Sequence, residues 1–134
     1  MALGVQGPNA PTTITPPARE SLVKVAKLAA GESTAFAAFK LPKYAFISGV
    51  YTISLGANTG VTVSAGSTST GTDIVNTASV DSTGYAPATG ADTGSLVGTQ
   101  LAGDTTVYFY ASGALTNAVY LKVEYWLPPV GQPF

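Results

Sequence analysis

The stretch "ADTGS", residues 91 to 95, is the nearest this chain comes to a catalytic motif. Asp92-Thr93-Gly94 is the triplet found around the catalytic carboxylate of aspartic proteases, where two copies share a proton and their acidities split apart. An active copy needs an apolar strand leading into the aspartate, and here the lead-in is "APATGA". In a stretch this rich in Thr and Gly, the triplet reads as a chance match. Calcium is the other chemistry that carboxylates could offer, and it needs several oxygens converging on one ion, usually from closely spaced side chains. Asp73, Asp81, Asp92 and Asp104 stand 8 to 12 residues apart in polar segments. They read as solvated loop acids, with Asp104 in the turn before a strand.

Other chemistry is excluded by composition. The chain has no histidine and no cysteine. That removes Ser-His-Asp and Cys-His catalysis, thiolate and imidazole metal sites, and disulfides. No P-loop, dinucleotide fingerprint or nucleophile elbow is present. The expectation is therefore a non-enzyme with no cofactor. Five of the six basic residues, Arg19, Lys24, Lys27, Lys40 and Lys43, fall within 25 positions, and none follows until Lys122. The net charge of −1 lacks the basic excess of a nucleic-acid binder. The basic run reads as a solvated face, with steering onto an acidic partner as the alternative. No run of about 18 apolar residues offers a membrane helix, and the N-terminus lacks the pattern of a signal peptide.

What remains is aromatic. In "AVYLKVEYWLPP", residues 118 to 129, every second residue from Val119 to Leu127 is apolar, as a strand with one buried face requires. The opposite row is Tyr120, Lys122, Glu124 and Trp126, which holds the only tryptophan. "TTVYFYA", residues 105 to 111, alternates in the same way, with Val107, Phe109 and Ala111 against Tyr108 and Tyr110. If these two strands pair, Tyr108, Tyr110, Tyr120 and Trp126 join into one patch, since facing residues stand about 5 Å apart. Burial of both sheet faces is the alternative. The charges and Thr106 among these rings favour an interface, where Tyr and Trp are enriched.

Positioning these residues falls to short strands. "SLVKVAKL" (21 to 28) fits either a helix between Pro17 and Gly31 or a strand, and its alternation favours the strand. "STAFAAFKL" (33 to 41) sets Ala35, Ala37, Phe39 and Leu41 against Phe36 and Lys40. "YAFISGVYTISLG" (44 to 56) sets Ile47, Tyr51, Ile53 and Leu55 against Ser48, Thr52 and Ser54. "ANTG" reads as a turn and "VTVSAG" (61 to 66) as the returning strand. Residues 67 to 95 form a loose polar stretch with apolar islands at Ile74–Val75, Val80 and Tyr85, and "SLVGTQL" reads as a short strand. Long irregular segments of this kind are often functional. Tyr85, Asp81 and Asp92 are accordingly a candidate ligand loop, an aromatic platform with acceptors suited to a glycan. The fold class is all-β: a single antiparallel β-sandwich or jelly-roll-like domain over 20–127.

Residues 1–19 carry Pro8, Pro11, Pro16 and Pro17 and read as an extended arm, and 128–134 as a second tail. Val5, Ile14, Val130 and Phe134 are apolar residues that a merely solvated tail does not need, which points to arms lying on neighbouring subunits. Only 10% of the chain is charged, against about 25% in typical soluble domains. Such a surface suits a protein packed among copies of itself or on a partner.

The Leu41-Pro42 before an apolar strand, the Gly49-Val50-Tyr51 strand, the turn into "VTVSAGS" and the closing "GDTTVYFYASGALTNAVYLKVEYW" together resemble small all-β virion proteins of tailed bacteriophages, often head decoration (cement) proteins. The resemblance implies no catalytic residues. It implies synthesis in the host cytoplasm and copies bound outside the capsid, as dimers or trimers touching the major capsid protein and one another. Two other readings stand beside it: a glycan- or receptor-binding module of a tail or fibre, and a small self-assembling coat protein.

Overall fold

Alternation with period two dictates the architecture, because each strand can bury only one of its rows. The computed structural model describes residues 21–128. Val5, Ile14, Val130 and Phe134, and with them the expectations for both arms, lie outside the described residues. Eight strands follow one another: β1 (Ser21–Leu28), β2 (Phe36–Leu41), β3 (Phe46–Ser54), β4 (Thr62–Gly66), β5 (Val75–Ser79), β6 (Gly84–Pro87), β7 (Thr105–Ala111) and β8 (Val119–Trp126). A single 3₁₀ turn, Gly90–Asp92, lies between β6 and β7, and the described residues contain no α-helix. The ambiguous segment at 21–28 is a strand, as its alternation favoured.

Two antiparallel four-stranded sheets form, in the orders β1-β8-β3-β6 and β2-β7-β4-β5. The pairs β1·β8, β2·β7, β3·β6 and β4·β5 amount to one long antiparallel ribbon, folded so that successive pairs fall in alternate sheets. The joins β8·β3 and β7·β4 complete each sheet. This is the jelly-roll winding, and it brings the all-β sandwich expectation to a specific topology.

The core lies between the sheets. Val119, Leu121, Val123 and Tyr125 of β8 and Val107, Phe109 and Ala111 of β7 all point into it, as their alternation predicts. Ile47, Val50, Val63, Ala65, Ile74, Val75 and Leu101 fill the rest.

Two β-bulges overturn the expected faces elsewhere. In β3 the register shifts between Ile47 and Gly49. An extra residue there reverses the phase of everything after it. Val50, Thr52 and Ser54 therefore point inward, while Tyr51, Ile53 and Leu55, expected on the row of Ile47, turn outward. A second shift between Ala37 and Phe39 lets Phe36 and Phe39 both pair with inward residues of β7, Phe109 and Val107. The Phe36 and Phe109 rings stand 6.4 Å apart.

The connections also differ from the sequence reading. β4 does not return beside β3; it crosses to the other sheet and pairs with β5 and β7. Residues 95–101 are turns rather than a strand, although Ile47 and Leu101 take part in backbone bonds that lay 98–101 along the start of β3. The 67–95 stretch carries β5 and β6 and is anchored near both of its ends. Asp73 accepts from the backbone and hydroxyl of Ser67, and the backbone of Gly94 donates to Ile74. A Cβ on Gly94 would meet the carbonyl carbon of Asp73 at 2.1 Å. The glycine of the Asp-Thr-Gly triplet is thus explained by close backbone packing.

Asn58, in the β3–β4 connection, is fully buried and polar. Its Oδ1 accepts from the backbones of Thr116 and Asn117, both at 2.8 Å, and its Nδ2 donates to Ser54 Oγ and the Gly56 carbonyl. One side chain thereby ties the ends of β3 and β8 together. Asn58→Ala strands these partners away from water, at about 1–3 kcal/mol per orphaned group. It is expected to destabilise the domain by about 2–4 kcal/mol in denaturant melts, and a loss below about 1 kcal/mol would show that water replaces the amide.

Candidate interaction face

The outward row of β8 is central in its sheet, flanked by β1 on one side and β3 on the other. Antiparallel register sets its neighbours. Trp126 stands opposite Ser21 and Phe46, Glu124 opposite Val23 and Gly49, Lys122 opposite Val25 and Tyr51, and Tyr120 opposite Lys27 and Ile53. β6 extends the face, with Tyr85 opposite Ile53. Trp126 is therefore half-buried on an outer sheet face, beside Phe46, and is not sealed in the core.

Exposure on this face is apolar to an unusual degree. Val23 is 46% exposed, Val25 54% and Tyr85 54%. Tyr51 and Tyr85, diagonal neighbours across β3 and β6, stack with centroids 5.0 Å apart and planes 21° from parallel. Lys122 Nζ lies 4.9 Å from the Tyr51 ring centre and 5.2 Å from that of Tyr85, within cation–π range. Lys27 stands 5.9 Å from the Tyr120 ring.

The polar atoms among these rings satisfy one another. Lys122 donates to the Tyr85 hydroxyl at 3.2 Å and pairs with Glu124 Oε2 at 3.3 Å. Tyr51 donates its hydroxyl to Glu124 Oε1 at 3.1 Å, and Ser48 donates to the Glu124 backbone carbonyl. The bond to Glu124 is the main cause holding the Tyr51 hydroxyl protonated above the ordinary tyrosine range. For Lys122 the bond to Tyr85 comes first and that to Glu124 second, and both keep it protonated beyond the usual lysine range. A network that is closed in this way can be covered by a partner without leaving an unpaired charge.

The structure divides the aromatic patch expected from sequence. β7 and β8 do not pair; they are the centres of different sheets. Tyr120 and Trp126 share the β8 face, whereas Tyr108 and Tyr110 stand on the outside of the other sheet. There the Tyr110 hydroxyl donates to the carbonyls of Thr70 and Gly71, holding the 67–72 loop. The proposed ligand loop is divided too. Tyr85 lies on β6 within the β8 face, Asp81 accepts from the Gly60 backbone, and Asp92 sits in the 3₁₀ turn beside β5. Among the described residues no cluster of acidic side chains could hold a metal ion, and no helix is long and apolar enough to cross a membrane.

Sequence reasoning missed Tyr51, Ile53, Val23 and Val25 as members of this face. Tyr51 and Ile53 were hidden by the β3 bulge. The valines were hidden by their own alternation: Val23-Lys24-Val25 suggests valines inward, whereas the structure places Lys24 on the inward row, as an edge strand tolerates, and turns both valines outward.

The domain's likeness to known proteins is structural. No protein-family model matches the chain, and no curated protein does. It is similar to a chain of the acidic stable capsid structure of Helicobacter pylori bacteriophage KHP30, with a TM-score of 0.61 and 19% identity, covering 81% of this chain and 89% of that one. A chain of the capsid of Ralstonia phage GP4 gives a TM-score of 0.59 at 13% identity, covering 88% and 92%. A chain of the cyanophage Pam1 capsid asymmetric unit gives 0.50 at 24%, covering 87% and 94%. The likeness establishes a shared fold, and it takes in 81–88% of this chain and 89–94% of the others.

The Tyr51–Glu124 bond has a readable consequence. A raised folded-state value for a tyrosine stabilises the fold fully below the ordinary value, about 10, and this contribution is lost as pH climbs through the raised value. In an ultraviolet titration, the tyrosine missing from Tyr51→Phe is expected to be one that ionises later than a free tyrosine. A missing component with ordinary titration would show that the bond does not persist in solution.

Proposed function

We propose that this chain is a structural protein of a bacteriophage capsid, and that it binds the outer surface of the shell as a decoration, or cement, protein. The carrying observation is the likeness of the fold, over four-fifths or more of this chain, to chains of three phage capsid structures. The low charge of the surface and the apolar β8 face support the same reading from independent directions.

In this reading the β8 face docks on the major capsid protein. Tyr85, Tyr51, Tyr120 and Trp126 supply large rigid area, and the Lys122–Glu124 pair arrives already neutralised. Interfaces draw most of their energy from a few such aromatic anchors set among residues that only exclude water. Because a decoration protein prefers the assembled lattice, its binding stabilises the shell by mass action. No enzymatic activity is part of the proposal. The glycan-binding reading loses its motive in this geometry, since Asp81 is committed to Gly60 and the Tyr51–Tyr85 platform has its polar atoms already paired.

Tyr85→Ala and Trp126→Ala are each expected to lower occupancy on capsids by about 2 kcal/mol, roughly 30-fold in affinity, as truncation of a true anchor does. Tyr108→Ala, on the opposite face, is expected to bind as the wild type does. Occupancy is read by quantitative binding to undecorated shells, with circular dichroism checking that each variant is folded. Equal occupancy for all three variants would remove the β8 face from the interface.

A further inference from the structure

The chain has no cysteine, so a covalent brace between its strands has to come from another side chain. The strand held least is β6. It has four residues, all exposed, and it ends its sheet. Among the described residues β3 is its one strand partner. Across that join Tyr51 and Tyr85 stack, with centroids 5.0 Å apart and planes 21° from parallel.

The hydroxyls of this pair are aimed at one place. Tyr51 donates to Glu124 Oε1, and Lys122, which pairs with Glu124 Oε2, donates to the Tyr85 hydroxyl. Both hydroxyls therefore converge on one ion pair, and the ring carbons beside them lie at the same end of the stack. Tyr51 is the fixed member. Its ring lies over Gly49, where an added Cβ would meet the hydroxyl at 3.1 Å. Tyr85 is 54% exposed, which gives it room to turn and opens it to an oxidant from solution.

We infer that Tyr51 and Tyr85 are an oxidative coupling site, joined as dityrosine by hydrogen peroxide acting through a haem peroxidase in one-electron steps. One electron leaves the Tyr51 ring as its hydroxyl proton passes to Glu124, the base already bonded to it. A second electron leaves Tyr85, whose hydroxyl proton goes to water. The two phenoxyl radicals pair their electrons in one C–C bond between the carbons beside the hydroxyls. The hydrogens on those carbons leave as protons while the oxygens regain theirs, so both phenols are restored. The net loss is two electrons and two protons, which one hydrogen peroxide takes up in becoming two waters. The product ties β6 to β3 and closes the loop from 51 to 85, restricting the unfolded chain as a disulfide does. The reaction needs only the free chain, so it is independent of the docking role of the β8 face.

Treatment of the purified full-length chain with peroxidase and hydrogen peroxide tests this. The expected product fluoresces as dityrosine, runs as a single chain and is lighter by two hydrogens. Cleavage directed at aspartate cuts at Asp73 and Asp81, between the two tyrosines, and their peptides are expected to stay joined. Tyr51→Phe and Tyr85→Phe are each expected to lose the product, and Tyr108→Phe to retain it. Glu124→Gln keeps an acceptor but removes the base, and is expected to slow coupling without changing which peptides are joined. The coupled chain is expected to melt at a higher temperature than the untreated one, and circular dichroism checks that each variant is folded. A folded wild type that yields no single-chain dityrosine overturns the inference, as does a product that survives either Tyr51→Phe or Tyr85→Phe.

Discussion

The seam between β8 and its two neighbours is the constraint from which the rest of the structure follows. β8 is gripped on both sides, by β1 over its whole length and by β3 over the same residues. Its inward row, Val119, Leu121, Val123 and Tyr125, is buried beyond nine-tenths at every position. A slip of one residue would carry those four side chains to the solvent and bring Lys122 and Glu124 into the core, so the register is strongly specified. That same specification fixes which residues are displayed. Tyr120, Lys122, Glu124 and Trp126 are outside because their neighbours must be inside. The face is a by-product of the core's demand, and the fold has put aromatic residues in the places so exposed.

How far the sequence announces this depends on the distance over which the information is carried. The faces of β7 and β8 are legible because alternation is local. Partnership is not, since β8 meets strands about 100 and 70 positions away, and nothing in "TTVYFYA" says that it will turn from β8 to β2 and β4. The bulges are the second limit. In β3 one additional residue between Ile47 and Val50 inverts the phase, so Thr52 and Ser54 occupy the core and Tyr51 the surface. A reader counting by twos has no cue to stop, because Ser48 and Gly49 fit an exposed row as well as a bulge. Tyr85 shows the third limit. Its neighbours in sequence are turn-formers, and only pairing with β3 makes Gly84–Pro87 a strand.

The polar residues inside and beside the core show how a chain with few charges keeps its connections in place. Asn58 joins the ends of β3 and β8, Asp73 folds the 67–73 loop onto itself, and the Tyr110 hydroxyl holds that loop to β7. Each uses a side chain whose alternative partner would be water. Backbone groups in loops need such partners when strands cannot supply them. The abundance of Ser, Thr and Gly that gives the sequence its disordered look is thus compatible with long connections that are individually anchored.

One surface remains once the core and connections are accounted for. The β8 face is largely apolar, and the charges of Lys122 and Glu124 close on each other within it, so its attraction to a partner depends little on salt and grows with the area covered. In the proposed assembly a shell offers the complementary surface many times over at a set spacing. Each docked copy then stabilises the lattice that it prefers, without any single contact needing to be strong in a dilute solution of free chains.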